Sequence, residues 1–171
     1  MNSKILTTHV GSLPRPTKLS QLLFAKDKKE IVDEKEFDDV VRDHVKKIVQ
    51  RQVNCGIDVV SDGEMSKISY ATYIKDRLHG FSGESERKAP ADLDAFPSYK
   101  EKIAKSGGTP TYTRPCCTEE LSIKDAGAVN KDIDNFTAAL QHSNVRSGFM
   151  NAASPGVIAL FLPNKYYETQ D

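Results

Sequence analysis

The strongest hydrophobic pattern in the chain lies between residues 33 and 56. Phe37, Val40, Val41, Val45, Ile48, Val49 and Val53 recur at steps of three and four, with charged residues between them. That spacing places them on one face of a helix. Asp33 or Glu34 opens it, acidic residues crowd its first turn, and Lys46, Lys47 and Arg51 gather towards its end, as the helix dipole favours. Asn54-Cys55-Gly56 stops it. The pattern then changes period. Ile57, Val59 and Val60 form a short β-branched run, too brief for a helix, that reads as a strand. Lys4 to Val10 also reads as a strand and runs into Gly11-Ser12. Strand, helix, strand is the order of a βαβ unit, and hence of a parallel sheet.

Thr17 to Ala25 is a short amphipathic piece, and Lys67 to Leu78, with Ile68, Tyr70, Tyr73, Ile74 and Leu78, is predicted to be helical. Gly80 to Pro90 is polar and begins an exposed excursion covering 80–108, within which Pro97 to Lys105 forms a short helix. Thr109 to Cys117 has a strand composition, which Thr118 to Ile123 extends after a break. Asn130 to Gln141 is an amphipathic helix capped by Asn130, and Gly148 to Asn151 a further strand. Ser154-Pro155-Gly156 turns the chain into Val157 to Leu162, and Pro163 to Asp171 is a polar tail. The expectation is an α/β fold. It has four roughly parallel strands near Ile5–Val10, Ile57–Ser61, Thr111–Cys116 and Gly148–Asn151, with helices on one side.

Composition narrows the function classes. The 171 residues suit a single domain, 1–171. Lys plus Arg and Asp plus Glu each number 24, so no net positive charge or basic cluster invites nucleic acid. No apolar run approaches the roughly 20 residues of a membrane span. The opening Met1-Asn2-Ser3-Lys4 turns polar too soon for a signal peptide. Three cysteines, two of them adjacent, imply no disulfide framework. A soluble, cytoplasmic protein is expected. Only 38% of residues are hydrophobic and none is Trp, which leaves a thin core.

Candidate chemistry sits at strand ends. Asp62-Gly63-Glu64 places two carboxylates on a tight turn just past the Ile57–Val60 strand, where ligands of α/β folds gather. The alternative is that Asp62-Gly63 is an ordinary turn and Glu64 caps the next helix. Gly11-Ser12 offers backbone N–H groups and a hydroxyl suited to a carboxylate. A plain strand exit before Pro14 and Pro16 fits the same residues. Thr111 to Arg114 and Asn151 to Ser154 are further polar strand ends. His9, His44, His79 and His142 form no chelating pair, and Cys116 and Cys117 point to opposite faces of a strand. No metal site made by this chain alone is expected. Dinucleotide, phosphate-loop and Gly-x-Ser-x-Gly patterns are lacking.

Taken together, these stretches resemble a known family. Thr7-Thr8-His9-Val10-Gly11-Ser12-Leu13-Pro14-Arg15-Pro16 is similar to the opening of the catalytic domain of cobalamin-independent methionine synthase and its short single-domain relatives. Gly56 to Glu64 resembles that family's second strand with its Gly-Glu signature. Thr111-Tyr112-Thr113-Arg114-Pro115 resembles the third strand, and Ser154 to Phe161 the segment at the fourth.

The resemblance implies a parallel (β/α)₈ TIM-type barrel that passes a methyl group from methyltetrahydrofolate to zinc-bound homocysteine. It implies that Val10, Gly11 and Ser12 hold the substrate carboxylate and that Glu64 pairs with the ammonium. Thr111 and Tyr112 fall on the folate side, and Phe161 against the pterin. The family's zinc ligands and catalytic acid belong to the barrel's second half. A whole barrel needs on the order of 250 residues. An incomplete half-barrel of about four strands is therefore expected, truncated and inactive alone, with open sheet edges available for self-association. An epoxyalkane–coenzyme M transferase type of relative, using another thiol acceptor, and a non-catalytic half-barrel interaction protein are the alternatives.

Overall fold

The long periodic stretch forms helix α2 (Glu34–Asn54), and the other elements are arranged around its apolar face. The computed structural model describes residues 4–85, 91–105 and 114–169. Asp33 caps α2, its carboxylate accepting the Glu36 N–H at 3.0 Å, so one of the donors left open at a helix start is satisfied. Val41, Val45, Ile48 and Val49 are buried. They share a core with Leu19 and Leu23 of α1 (Thr17–Asp27), Val60 of β1 (Val59–Ser61), Met65, and Phe136 and Ala139 of α4 (Gly127–Gln141).

Strand β1 pairs in parallel with β4 (Ser147–Phe149), Val59 opposite Ser147 and Ser61 opposite Phe149. Parallel pairing is thus present, although β1 and β4 are not the two strands expected on either side of α2. The strand expected over Ile5–Val10, however, is reduced to one parallel bridge between Thr8 and Val59. Side chains supplement the short ladder there: beside the Asp58 and Val59 N–H groups donating to the Thr7 carbonyl, the Asp58 carboxylate accepts from the Thr7 N–H and hydroxyl, both at 3.0 Å, and from Lys4 Nζ at 2.5 Å. β1 also starts later than Ile57, because the Ile57 N–H still bonds to the Gln52 carbonyl at 3.1 Å as part of the helix exit.

The end of β1 is finished by a helix side chain. Gln52 is buried, accepts the Ser61 N–H on Oε1 at 3.0 Å and donates from Nε2 to the Ser61 carbonyl at 2.8 Å. Its amide serves Ser61 as a neighbouring strand's peptide would. Behind the sheet, Gly148 of β4 lies so close to α4 that a Cβ there would sit 2.7 Å from Phe136 Cζ.

Three expectations are corrected. The third strand does not run parallel: β3 (Cys116–Ile123) is antiparallel to β2 (Leu78–Ser82), and the two form a sheet apart from β1–β4. Residues 111–113 of the expected strand lie outside the described residues. Lys67 to Leu78 is not one helix but turns, a 3-10 segment at Thr72–Asp76, and the start of β2. The Lys67 carbonyl, which a helix would need, is taken by Arg15 at 2.6 Å. After the turn at Ser154-Pro155-Gly156, Pro155–Phe161 forms helix α5, with Ser154 accepting the Val157 N–H and Pro155 at its first turn, where its missing N–H costs nothing. Helix α4 begins before Asn130, since Asp125 accepts the N–H groups of Gly127 and Ala128.

Residues 80–82 of the expected excursion belong to β2, and Pro97–Lys105 forms helix α3 as the sequence predicts. The tail is also tied in, with Asn164 bridging to Cys117 beside β3. Among the described residues, no helix is long and apolar enough to cross a membrane.

Candidate functional site

β1 ends in a turn that folds its own charges inward. Ser61, Asp62 and Glu64 are all buried. Gly63 has φ +61° and Glu64 φ +56°, so two successive residues take the left-handed conformation that only glycine adopts without cost. A Cβ on Gly63 would press on Ile48, Leu13 and Met65 at 3.1–3.2 Å. The turn is held by its own polar groups: the Glu64 N–H donates to Asp62 Oδ1 at 3.1 Å and the Gly63 N–H to Ser61 Oγ at 3.3 Å. Asp62 also pairs with Lys67, Oδ2 to Nζ 3.3 Å, both side chains nearly sealed from solvent.

Two segments converge on Glu64. Ser12 Oγ donates to its Oε2, and Asn151 Nδ2, just beyond β4, to its Oε1. Arg15 reaches in from the Pro-bounded opening segment and donates to the Glu64 carbonyl at 3.0 Å. The Leu13 N–H bonds to the Gly63 carbonyl at 3.1 Å and fastens that segment to the turn. Burial pushes the Arg15 guanidinium pKa down, while the Glu64 and Asp62 carboxylates act to raise it. Arg15 and Lys67 against Asp62 and Glu64 make the cluster formally neutral. Two of its buried polar atoms, Arg15 Nε and Asn151 Oδ1, have no hydrogen-bond partner among the described residues.

Chemically, Glu64 is a carboxylate whose two oxygens are each oriented by a neutral donor. A carboxylate can accept about four hydrogen bonds, so capacity remains for a cationic group. The Ser12 hydroxyl and the turn at Gly11, with φ +101°, stand beside it.

The structure brings Ser12 and Glu64 into direct contact, as expected from their positions after adjacent strand segments. Val10 is 66% exposed. Thr111 and Tyr112 lie outside the described residues. Phe161 belongs to an aromatic group with Tyr70, centroids 6.2 Å apart, and with the Arg114 guanidinium 5.3 Å from its ring.

Arg15 and Lys67 escaped notice as site residues, and Asn151 was named as a polar strand end without a role. Arg15 had a signal in its place between two prolines, and Asn151 in its place at a strand end. A cleft of about 520 Å³ lies elsewhere, between α1, α2 and α4. Its charged groups largely answer one another, as in Arg77–Asp132 and Lys131–Asp38, both 2.7 Å. Among the described residues, no group of three or more His, Cys, Asp or Glu side chains could hold a metal ion.

The family pattern described as the catalytic domain of cobalamin-independent synthase matches residues 5–107. The chain is similar to a methionine synthase of Sulfolobus acidocaldarius, 25% identical over 165 residues, covering 96% of this chain and 42% of that protein. Its fold is similar to that of a B12-independent methionine synthase from Shewanella sp. W3-18-1, solved in complex with selenomethionine. The TM-score is 0.61 and the identity 21%, over 95% of this chain and 42% of that one. The chain thus spans 42% of the length of these relatives.

Proposed function

This chain belongs to the cobalamin-independent synthase family, and from that premise we propose that it binds the amino-acid substrate of a homocysteine S-methyl transfer in methionine biosynthesis. The observation that carries the reading is the meeting of Ser12 and Glu64 at the end of β1. Homocysteine is a zwitterion with a thiol side chain. Its ammonium needs a charged acceptor and its carboxylate needs donors, and a buried carboxylate beside a Gly-Ser turn provides both. Glu64 takes the ammonium in a charge-assisted bond. Ser12, with the backbone of Val10 and Gly11, takes the carboxylate, which fixes the direction in which the thiol points.

In this reading residues 1–171 form one opening section of a (β/α)₈ barrel, with the 80–108 stretch an excursion from it. Methyltetrahydropteroylglutamate is the methyl donor, with Thr111, Tyr112 and Phe161 on its side of the site. The described residues do not fit the zinc that the family implies. Cys55 is exposed, while Cys116 and Cys117 are buried on β3 with no set of further ligands around them. No step is derived through a metal. The work of this chain is to bind and orient.

Isothermal titration with L-homocysteine tests the reading. Wild-type chain should bind it, and Glu64→Gln should weaken binding by about 10- to 100-fold, the loss expected for one hydrogen bond to a charged group. Equal affinity of Glu64→Gln and wild type refutes the assignment. Equal binding of 2-mercaptoethanesulfonate, which has no ammonium, would point instead to another thiol acceptor.

A further inference from the structure

Asn151 stands just beyond β4 and is bonded to Glu64 through Nδ2. An ionised carboxylate only accepts, so the amide must turn its nitrogen to Glu64 and its oxygen away. That oxygen, Oδ1, is buried and has no hydrogen-bond partner among the described residues. A buried acceptor without a donor costs free energy, and such atoms call for an explanation. The opposite edge of the same carboxylate is held by Ser12, so Glu64 is braced on both sides by neutral donors. The result is a carboxylate with an orphaned amide oxygen next to it: two acceptors side by side, one charged and one neutral. An ammonium, with three N–H donors in a fan, is the group that matches two such acceptors at once.

We propose that Asn151 is a specificity-determining residue of the amino-acid site, its Oδ1 accepting one N–H of the substrate ammonium while its Nδ2 holds Glu64 for another. The inference rests on the proposed amino-acid reading of the site and adds to it a residue that selects for a primary ammonium. Nδ2 and Oδ1 belong to one planar amide, so the bond to Glu64 also fixes where the second acceptor points. A substrate lacking the ammonium would leave Oδ1 as unpaired as it is now. It would also leave the Glu64 carboxylate oxygens with neutral donors only, so the two acceptors discriminate together.

The test compares L-methionine with 4-(methylthio)butanoate, which differs only in lacking the amino group, by titration calorimetry on the full chain. Wild type should favour L-methionine. Asn151→Leu, similar in shape but without an acceptor, should cut that preference by about 10- to 100-fold. Asn151→Asp keeps an acceptor and loses the donor to Glu64, so it should retain a preference for L-methionine. Thermal melts of the three proteins check that each is folded. If Asn151→Leu keeps the wild-type preference, or if Asn151→Asp loses it as fully as Asn151→Leu, Asn151 does not receive the ammonium and this inference fails alone. If wild type binds neither L-methionine nor L-homocysteine, the amino-acid reading fails, and the inference with it.

Discussion

Replacing Gln52 with Met tests how the turn that carries Glu64 is supported. Met matches Gln in length and shape and adds no strain to α2, so the change removes hydrogen bonds and little else. The Gln52 amide is joined to the Ser61 N–H at 3.0 Å, the Ser61 carbonyl at 2.8 Å and the Ile48 carbonyl at 3.2 Å. Ser61 is completely buried, so water cannot replace what is lost. Each backbone group orphaned in that setting costs about 1–3 kcal/mol. Two groups give about 2–6 kcal/mol, from which the easier burial of a thioether subtracts roughly 1 kcal/mol. Total stability of a domain is only about 5–15 kcal/mol. With a urea slope of about 2 kcal/mol per molar, Gln52→Met should lower the midpoint by roughly 0.5–2.5 M at unchanged slope. Circular dichroism during urea titration reads this directly. A midpoint within about 0.25 M of wild type would show that Ser61 does not depend on Gln52, and the account of how β1 ends would be wrong.

Two further outcomes follow from the packing and the charges. The hydrogen bond from Lys4, then those from the Thr7 N–H and hydroxyl, hold the Asp58 pKa down from 3.8 to about 2. A carboxyl lowered on folding stabilises the protein above its unfolded value and loses that contribution as the pH falls towards the folded one. The stability difference between wild type and Asp58→Asn should therefore be full at neutral pH and shrink from 3.8 down to about 2; a difference independent of pH across that interval would contradict it. Gly148→Ala drives a methyl to within 2.7 Å of Phe136 and 3.0 Å of Leu140. It should destabilise by about 1–3 kcal/mol by forcing α4 off the sheet, and a melting temperature equal to wild type would show that the helix yields freely.

What was legible in the sequence was whatever a single segment decides. The stripe of α2 and its Asp33 cap are local, as is the parallel strand after it, and Ser12 and Glu64 could be paired because both follow strand-like segments. Gln52 was not legible: a polar residue on an apolar stripe looks like a gap, and its partner Ser61 is reached only once β1 has folded back. Lys67 to Leu78 has helical spacing, yet Arg15, some fifty positions earlier, removes the carbonyl that its first turn requires. Tyr73, counted on that helix's apolar side, lies beneath two cations, Lys67 and Arg77. Ser154-Pro155 is itself a helix-start signal, and it opens α5. Asn151 was visible as a polar strand end, but the direction of its amide is dictated by Glu64 and so belongs to the tertiary structure.

The β2–β3 pair has a use for anyone who wishes to alter this protein. The chain leaving β2 and the chain entering β3 are clasped where the Ser85 N–H and hydroxyl both reach the Arg114 carbonyl, at 2.7 and 3.0 Å. Helix α3 belongs to the stretch between those two residues. Lengthening a loop whose ends are already fixed is inexpensive, about 0.6 kcal/mol for each doubling. The chain next to α3, short of Thr111 and Tyr112, is therefore a natural port for grafting: an epitope, a fluorophore tag or a tether could be spliced in there. Because β2 and β3 pair with each other and not with β1 or β4, such cargo would hang from a sheet separate from the one that carries Glu64.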